Sequence, residues 1–186
     1  DAIEVVCLEG WYDILKAYAE QFGIAKLKYV ISGGNSSQES IKIGLENLKN
    51  ICNDGDIIII HDGIRPMVDD NIITSCIETC ESNGNGVTAY PVYEQIFETK
   101  DGKTTDKYIP RESLRIVQTP QAYKYKEILD VYIEGFEKNI GIHGSSYANT
   151  LMTDMGKKLY FSAGSTKNIK ITTKDDIAIF KAMISF

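Results

Sequence analysis

The chain has 186 residues, 43% of them hydrophobic, and a formal charge of −6. That is enough for one domain, 1–186, with a sizeable core. The charge argues against a general nucleic-acid surface while allowing a local cationic pocket.

No apolar run approaches the length needed to span a bilayer, and no signal peptide stands at the start, so a cytoplasmic chain with no membrane partner is expected. Of the four cysteines, Cys76 and Cys80 are spaced i, i+4 with no histidine pair to complete a zinc site. Free thiols are expected, and no metal site built by the chain itself.

Ile3 to Leu8 reads as a first buried strand. Trp11, Ile14, Leu15, Tyr18 and Phe22 then recur at helical spacing and predict a helix with those side chains in the core. Lys28 to Ser32 gives a second strand. The turn from Gly33 to Ser40, GGNSSQES, opens a helix carrying Ile41, Ile43, Leu45 and Leu48. Small polar residues at such a junction leave backbone N–H groups for an anion or a base edge; a turn capped by Ser36 or Ser37 is the plainer alternative.

Asp56 to Pro66, DIIIIHDGIRP, dominates the middle of the chain. Four unbroken isoleucines predict a strand buried on both faces of a parallel sheet. It ends in His61, Asp62 and Arg65, at the strand terminus where open α/β sheets bind ligands. A carboxylate and a guanidinium there suit a metal, a ribose or a phosphate. Equally, Asp62 could cap a local turn and Arg65 pair with a surface carboxylate.

Asp69 or Asp70 caps a helix through Cys80, and Val87 to Val92 is another strand. Residues 93–115 contain two β-prone runs around Lys100-Asp101-Gly102-Lys103, which predicts a hairpin. An isolated polar hairpin is marginally stable, so it is read as an arm that docks on a second subunit, or that folds back on its own domain. Ile116 to Gln121 is a short strand, Tyr123 to Lys138 a helix, Ile140 to Ser146 a loop and Tyr147 to Met155 a helix. Lys158 to Phe161 is a strand, Ala163 to Thr173 a loop running into a strand, and Lys174-Asp175-Asp176 opens the last helix. Alternating strands and helices predict an α/β fold with a mostly parallel sheet.

Polar clusters fall at four strand ends: Gly33–Ser40, Asp62/Arg65, Thr119-Pro120-Gln121 and Asn168/Lys170. Cations, backbone donors and one carboxylate suit phosphoryl or nucleotidyl transfer, where the protein positions groups and stabilises charge. No nucleophile elbow supports a serine hydrolase.

GG-x5-S-I-x2-GL (Gly33 to Leu45), HD-x2-RP (His61 to Pro66), QTPQ (Gln118 to Gln121) and NIKIT (Asn168 to Thr172) followed by Asp175 occur in that order. Together they resemble the cytidylyltransferases that form CDP-linked polyols: the methylerythritol-phosphate enzymes of isoprenoid synthesis and the ribitol-phosphate enzymes of teichoic acid and capsule synthesis. The resemblance covers nearly the whole chain.

It implies a Rossmann-like core flanked by helices, with a projecting β-arm that makes a homodimer. It further implies transfer from CTP to a sugar-alcohol phosphate, with release of pyrophosphate and a divalent cation, usually Mg2+, bound mainly through the CTP phosphates. On the resemblance, Gly33, Gly34, Asn35 and Ser40 bind the cytosine and Asp62 faces the ribose and reacting phosphates. Arg65, Thr119 and Lys170 meet the polyol phosphate, with Gln95 and Ser146 near it, and Arg111 reaches the partner's active site. Asp62, Arg65 and Lys170 are the expected catalytic set.

Three departures from the family pattern shape the expectation. The glycine-rich loop, arginine and lysine that open the family signature are not in this sequence, so the chain alone is expected to be inactive, its sheet to lack a central element, and the native protein to be longer. A non-catalytic nucleotide-binding remnant or scaffold of the same fold is the alternative. Ser37 stands where an arginine is common in the cytosine loop. Gln95 replaces a usual threonine and Ser146-Tyr147 a usual Thr-Asp pair; these changes bear on the acceptor and favour ribitol phosphate over methylerythritol phosphate.

Overall fold

In the computed structural model, residues 1–144 and 147–185 are described. The elements in chain order are β1 (Ile3–Cys7), α1 (Tyr12–Gln21), β2 (Leu27–Ser32), α2 (Ser37–Asn47), β3 (Ile57–Ile60), α3 (Asp70–Asn83), β4 (Asn85–Pro91), β5 (Ile96–Glu98), β6 (Lys107–Ile109), β7 (Arg115–Lys124), α4 (Tyr125–Lys138), α5 (Ala148–Asp154), β8 (Phe161–Ala163) and α6 (Lys174–Ile184). The α/β class expected from the alternation of patterns is the class observed. The chain forms two compact units, Asp1–Asp56 with Lys124–Lys158, and Ile57–Tyr123 with Leu159–Phe186.

The first unit pairs β1 and β2 in parallel, Val5 opposite Val30. Its buried core is built by Leu45 of α2, by Ile128, Val131 and Tyr132 of α4, and by Leu151 and Met152 of α5. Helix α1 departs from expectation. It buries no residue, and Trp11 and Phe22 are 57% and 67% exposed. A two-stranded sheet offers too little apolar surface to cover its stripe; Tyr18 and Phe22 stack on each other instead, ring centroids 6.2 Å apart.

The second unit holds a four-stranded sheet in the order β3-β7-β4-β8. β4 runs parallel to β8 and antiparallel to β7, so this sheet is mixed. Among the described residues the isoleucine strand β3 lies at the edge of its sheet and is not buried on both faces: Ile59 is 39% exposed. With one flank unpaired, an unbroken apolar run cannot be enclosed as it would be at the centre of a sheet. Cys76 and Cys80 of α3 and Ala122 of β7 pack together with Ile57 against them. The last turn of α3 ends in Gly84 at φ 93°, the left-handed conformation that glycine adopts without a side-chain clash.

All four cysteines are free thiols. The predicted strand within Ala163–Thr173 is absent among the described residues. That segment is held by single contacts, including Ile171 N–H to the Ile64 carbonyl at 2.9 Å, rather than by a ladder. The strand expected at Lys158–Phe161 begins instead at Phe161. In the arm, β5 and β6 pair antiparallel, with Phe97 opposite Tyr108. Asp101 closes the turn between them by accepting from the Lys103 and Thr104 N–H groups, and these bonds hold its carboxyl far below the usual range.

Candidate active site

The end of β3 delivers His61, Asp62 and Arg65 in one tight turn, closed by Arg65 N–H to the Asp62 carbonyl at 3.0 Å. Asp62 Oδ2 accepts from Arg65 Nε at 3.2 Å and lies 3.3 Å from Lys170 Nζ. Two cations thus bracket one carboxylate, leaving a net positive charge at a strand end, the complement of a phosphate. Asp62 and Lys170 remain open to solvent at 28% and 29%, whereas Arg65 is 11% exposed. Arg65 reaches further, donating from Nη1 to the Asn168 carbonyl at 2.9 Å.

Thr119, on β7, accepts from Asp62 N–H at 2.9 Å and sits 3.2 Å from His61 Nδ1. His61 Nε2 is 3.2 Å from the Arg65 carbonyl, an acceptor, so that nitrogen carries the proton. In the neutral ring Nδ1 is then the acceptor for the Thr119 hydroxyl. Burial lowers the His61 pKa, outweighing the Arg65 carbonyl and Asp62, which both raise it. The Thr119 hydroxyl, assigned to a polyol phosphate by resemblance, is engaged in both directions inside the loop.

Behind this turn lies a polar frame that the sequence motifs contain but whose role their order does not disclose. Gln118 donates from Nε2 to the Ser165 carbonyl at 2.9 Å and to the Asn168 carbonyl at 2.8 Å. Asn168 is fully buried, and its Nδ2 donates to the Thr119 carbonyl at 2.9 Å. Its Oδ1 is buried with no hydrogen-bond partner among the described residues. The peptide bond between Thr119 and Pro120 is cis.

Gln95 and Arg111 belong to the same unit but hold other places. Gln95 is exposed beside the hairpin, and Arg111 Nη1 donates to the Tyr93 carbonyl at 3.0 Å, with Nε 3.6 Å from Glu112.

Gly33, Gly34, Asn35 and Ser40 form a separate cluster in the first unit. The expectation of free N–H groups there is corrected at several positions, beginning with Gly33 N–H, which donates to the Cys7 carbonyl at 3.1 Å. Gly34 N–H donates to Ser40 Oγ at 3.1 Å and Asn35 N–H to Glu39 Oε2 at 2.6 Å. Ser36 caps α2 by accepting from Glu39 N–H at 3.1 Å. The glycines are needed for closeness: a Cβ on Gly34 would lie 2.4 Å from Glu39 Cβ, and one on Gly33 2.8 Å from Ser40 Oγ. Ser146 lies outside the described residues.

Residues 7–185 match the family described as IspD, 2-C-methyl-D-erythritol 4-phosphate cytidylyltransferase. The chain belongs to this cytidylyltransferase family. It is therefore a member of a nucleotidyltransferase enzyme family.

Among curated relatives, a ribitol-5-phosphate cytidylyltransferase of Lacticaseibacillus paracasei is 50% identical over 184 residues, covering 99% of this chain and 79% of that one. A 2-C-methyl-D-erythritol 4-phosphate cytidylyltransferase of Clostridium acetobutylicum is 32% identical, covering 95% and 75%. In fold, the chain resembles the crystal structure of 4-diphosphocytidyl-2C-methyl-D-erythritol synthase from Anaerococcus prevotii, with a TM-score of 0.86 at 23% identity, over 100% of this chain and 79% of that one. Among the described residues, no helix is long and apolar enough to cross a membrane.

Proposed function

We propose that this cytidylyltransferase-family chain, together with the glycine-rich loop, arginine and lysine that are not among its 186 residues, joins CTP to ribitol phosphate, giving a CDP-polyol and pyrophosphate. The bracketing of Asp62 by Arg65 and Lys170 carries the transfer reading. The choice of acceptor is supported by 50% identity to a relative named for ribitol 5-phosphate, against 32% to one named for methylerythritol phosphate.

In this reading a phosphate oxygen of the acceptor attacks the α-phosphorus of CTP. A new P–O bond forms, the bond to the bridging oxygen breaks, and pyrophosphate leaves with the electron pair. Arg65 and Lys170 hold the acceptor phosphate and offset its charge as it approaches a second anion. Asp62 keeps both cations aimed. The turn of Gly33, Gly34, Asn35 and Ser40 receives the cytosine, with Glu39 giving up Asn35 N–H to do so.

A divalent cation fits only as one carried by the nucleotide. Asp62 is already engaged by two cationic groups, and among the described residues no three His, Cys, Asp or Glu side chains gather. When bound, Mg2+ would neutralise charge on the CTP phosphates.

The hairpin exposes Tyr93, Phe97 and Tyr108, which suits docking on a second copy with Arg111 carried towards that copy's site. A CTP-consuming reaction also fits the cytoplasm.

The test is pyrophosphate release with CTP and either ribitol 5-phosphate or methylerythritol 4-phosphate, with the product mass measured. A CDP-ribitol product formed at least tenfold faster than the methylerythritol product is expected. The reverse preference would overturn the acceptor; transfer from UTP or ATP at the CTP rate would overturn the nucleotide.

A further inference from the structure

Gln38 lies in the second position of α2 and is 2% exposed, yet it is a polar side chain with every hydrogen-bonding group used. Its Nε2 donates to the Gly141 carbonyl at 2.9 Å and to the Tyr147 carbonyl at 3.2 Å. Its Oε1 accepts from the Tyr132 hydroxyl at 2.6 Å. Two carbonyls on one side and a phenol on the other fix which end is the amide nitrogen. Burial pushes the Tyr132 phenol far upward, so it remains a donor throughout the working pH range.

One side chain therefore ties α2 to α4 and to the connection between α4 and α5. Both ends of the tie are rigid. On the α2 side, the neighbours Glu39 and Ser40 bind Asn35 N–H and Gly34 N–H, so the turn and Gln38 share one backbone segment. On the other side, Gly141 stands at φ 63°, and a Cβ there would lie 2.9 Å from Leu151 Cδ1. A Cβ on Gly135 would lie 2.7 Å from the same atom. The end of α4 and the start of the connection are thus closely packed on Leu151 at Gly135 and Gly141.

We propose that Gln38 is a positioning residue that couples nucleotide occupancy of the Gly33–Ser40 turn to the conformation of the α4–α5 connection. This rests on the reading of that turn as the nucleotide site. A base edge at Asn35 N–H displaces the Glu39 carboxylate and reshapes the turn. Because Glu39 N–H and Ser40 N–H are both bonded to Ser36, that change is carried into the first turn of α2, which holds Gln38. The three bonds of Gln38 pass that adjustment to Gly141 and Tyr147. Residues 139–144, the described part of that connection, therefore report the occupancy of the turn.

The test is hydrogen exchange of residues 139–144 with and without CTP, alongside calorimetric CTP binding, in the wild type, Gln38→Met and Tyr132→Phe. Methionine keeps the volume and removes all three bonds; Tyr132→Phe leaves both carbonyl contacts in place. In the wild type, CTP should slow exchange of this segment by about tenfold, the scale of ordinary coupling between sites. Gln38→Met should lose that protection, with CTP affinity changed less than threefold. Tyr132→Phe should retain protection.

Three results would overturn the proposal. One is CTP binding to the wild type with no protection of residues 139–144, an observation that needs no variant to fold. Another is full protection in Gln38→Met. A calorimetric blank for wild-type CTP binding would remove the nucleotide reading itself and the coupling with it, and is recognisable because the binding signal is missing.

Discussion

Arg65 is held by the backbone of Asn168: its Nη1 donates to the Asn168 carbonyl at 2.9 Å while its Nε meets Asp62. The guanidinium spans two points that a lysine ammonium cannot span together. Arg65→Lys should therefore keep the positive charge but lose its aim. We expect kcat to fall by about a hundredfold, the usual cost of removing one preorganised donor, with CTP affinity within threefold of wild type. Steady-state kinetics with calorimetry checks this; unchanged kcat would mean that charge alone suffices.

Asn168 should matter more for folding than its surroundings suggest. Its buried side chain holds the Thr119 carbonyl, and its own carbonyl receives Arg65 and Gln118. Asn168→Ala leaves the Thr119 carbonyl without that donor and should cost about 1–3 kcal/mol in urea denaturation. Asn168→Asp, which sets a carboxylate against a carbonyl in a dry site, should cost more than Asn168→Ala. The opposite ranking would mean that solvent reaches the frame.

His61 gives a pH signature. Its folded pKa lies below the ordinary 6.5, chiefly because of burial. The unfolded chain then binds the proton more readily, so stability is complete above 6.5 and is lost as pH falls through the folded value. The melting temperature should decline between pH 7 and pH 5, and His61→Asn should flatten that decline. A slope unchanged by the substitution would assign the titration elsewhere.

Much of this was legible in the sequence because its signals were local. A cap at Ser36 or Ser37, a cap at Asp69 or Asp70 and the hairpin around Asp101-Gly102 follow from chemistry within a few residues, and the structure selects Ser36 and Asp69. Asp62 with Arg65 was legible for the same reason. Lys170 and Asn168 needed the chain to return more than 100 positions later, and no spacing rule links them to Asp62. Only the NIKIT motif, through its resemblance to the family pattern, marks Lys170 and Asn168 out in the sequence. The exposure of Trp11 and Ile59 was not legible either, because periodicity says which face is apolar and not whether anything covers it.

Gly34→Ala should separate the turn from the rest. The added carbon would meet Glu39 Cβ at 2.4 Å, so the turn must open and Asn35 N–H must lose its present partner. CTP binding should weaken by at least tenfold with the melting temperature lowered only slightly, since Gly34 lies outside the buried core. Calorimetry and a thermal melt measure both; intact CTP affinity would remove the turn from the nucleotide site.

The edge position of β3 has a practical consequence for handling this 186-residue chain. Among the described residues of this 186-residue chain, a strand of four isoleucines with one unpaired flank presents a row of backbone donors and acceptors beside apolar side chains, without a lysine, a proline or a bulge within the strand to blunt it. Such an edge recruits the same edge of another molecule. Concentrated preparations should drift towards insoluble, sheet-rich assemblies, and a charge at the most exposed isoleucine, Ile59→Lys, should delay that drift while leaving the Asp62 turn in place.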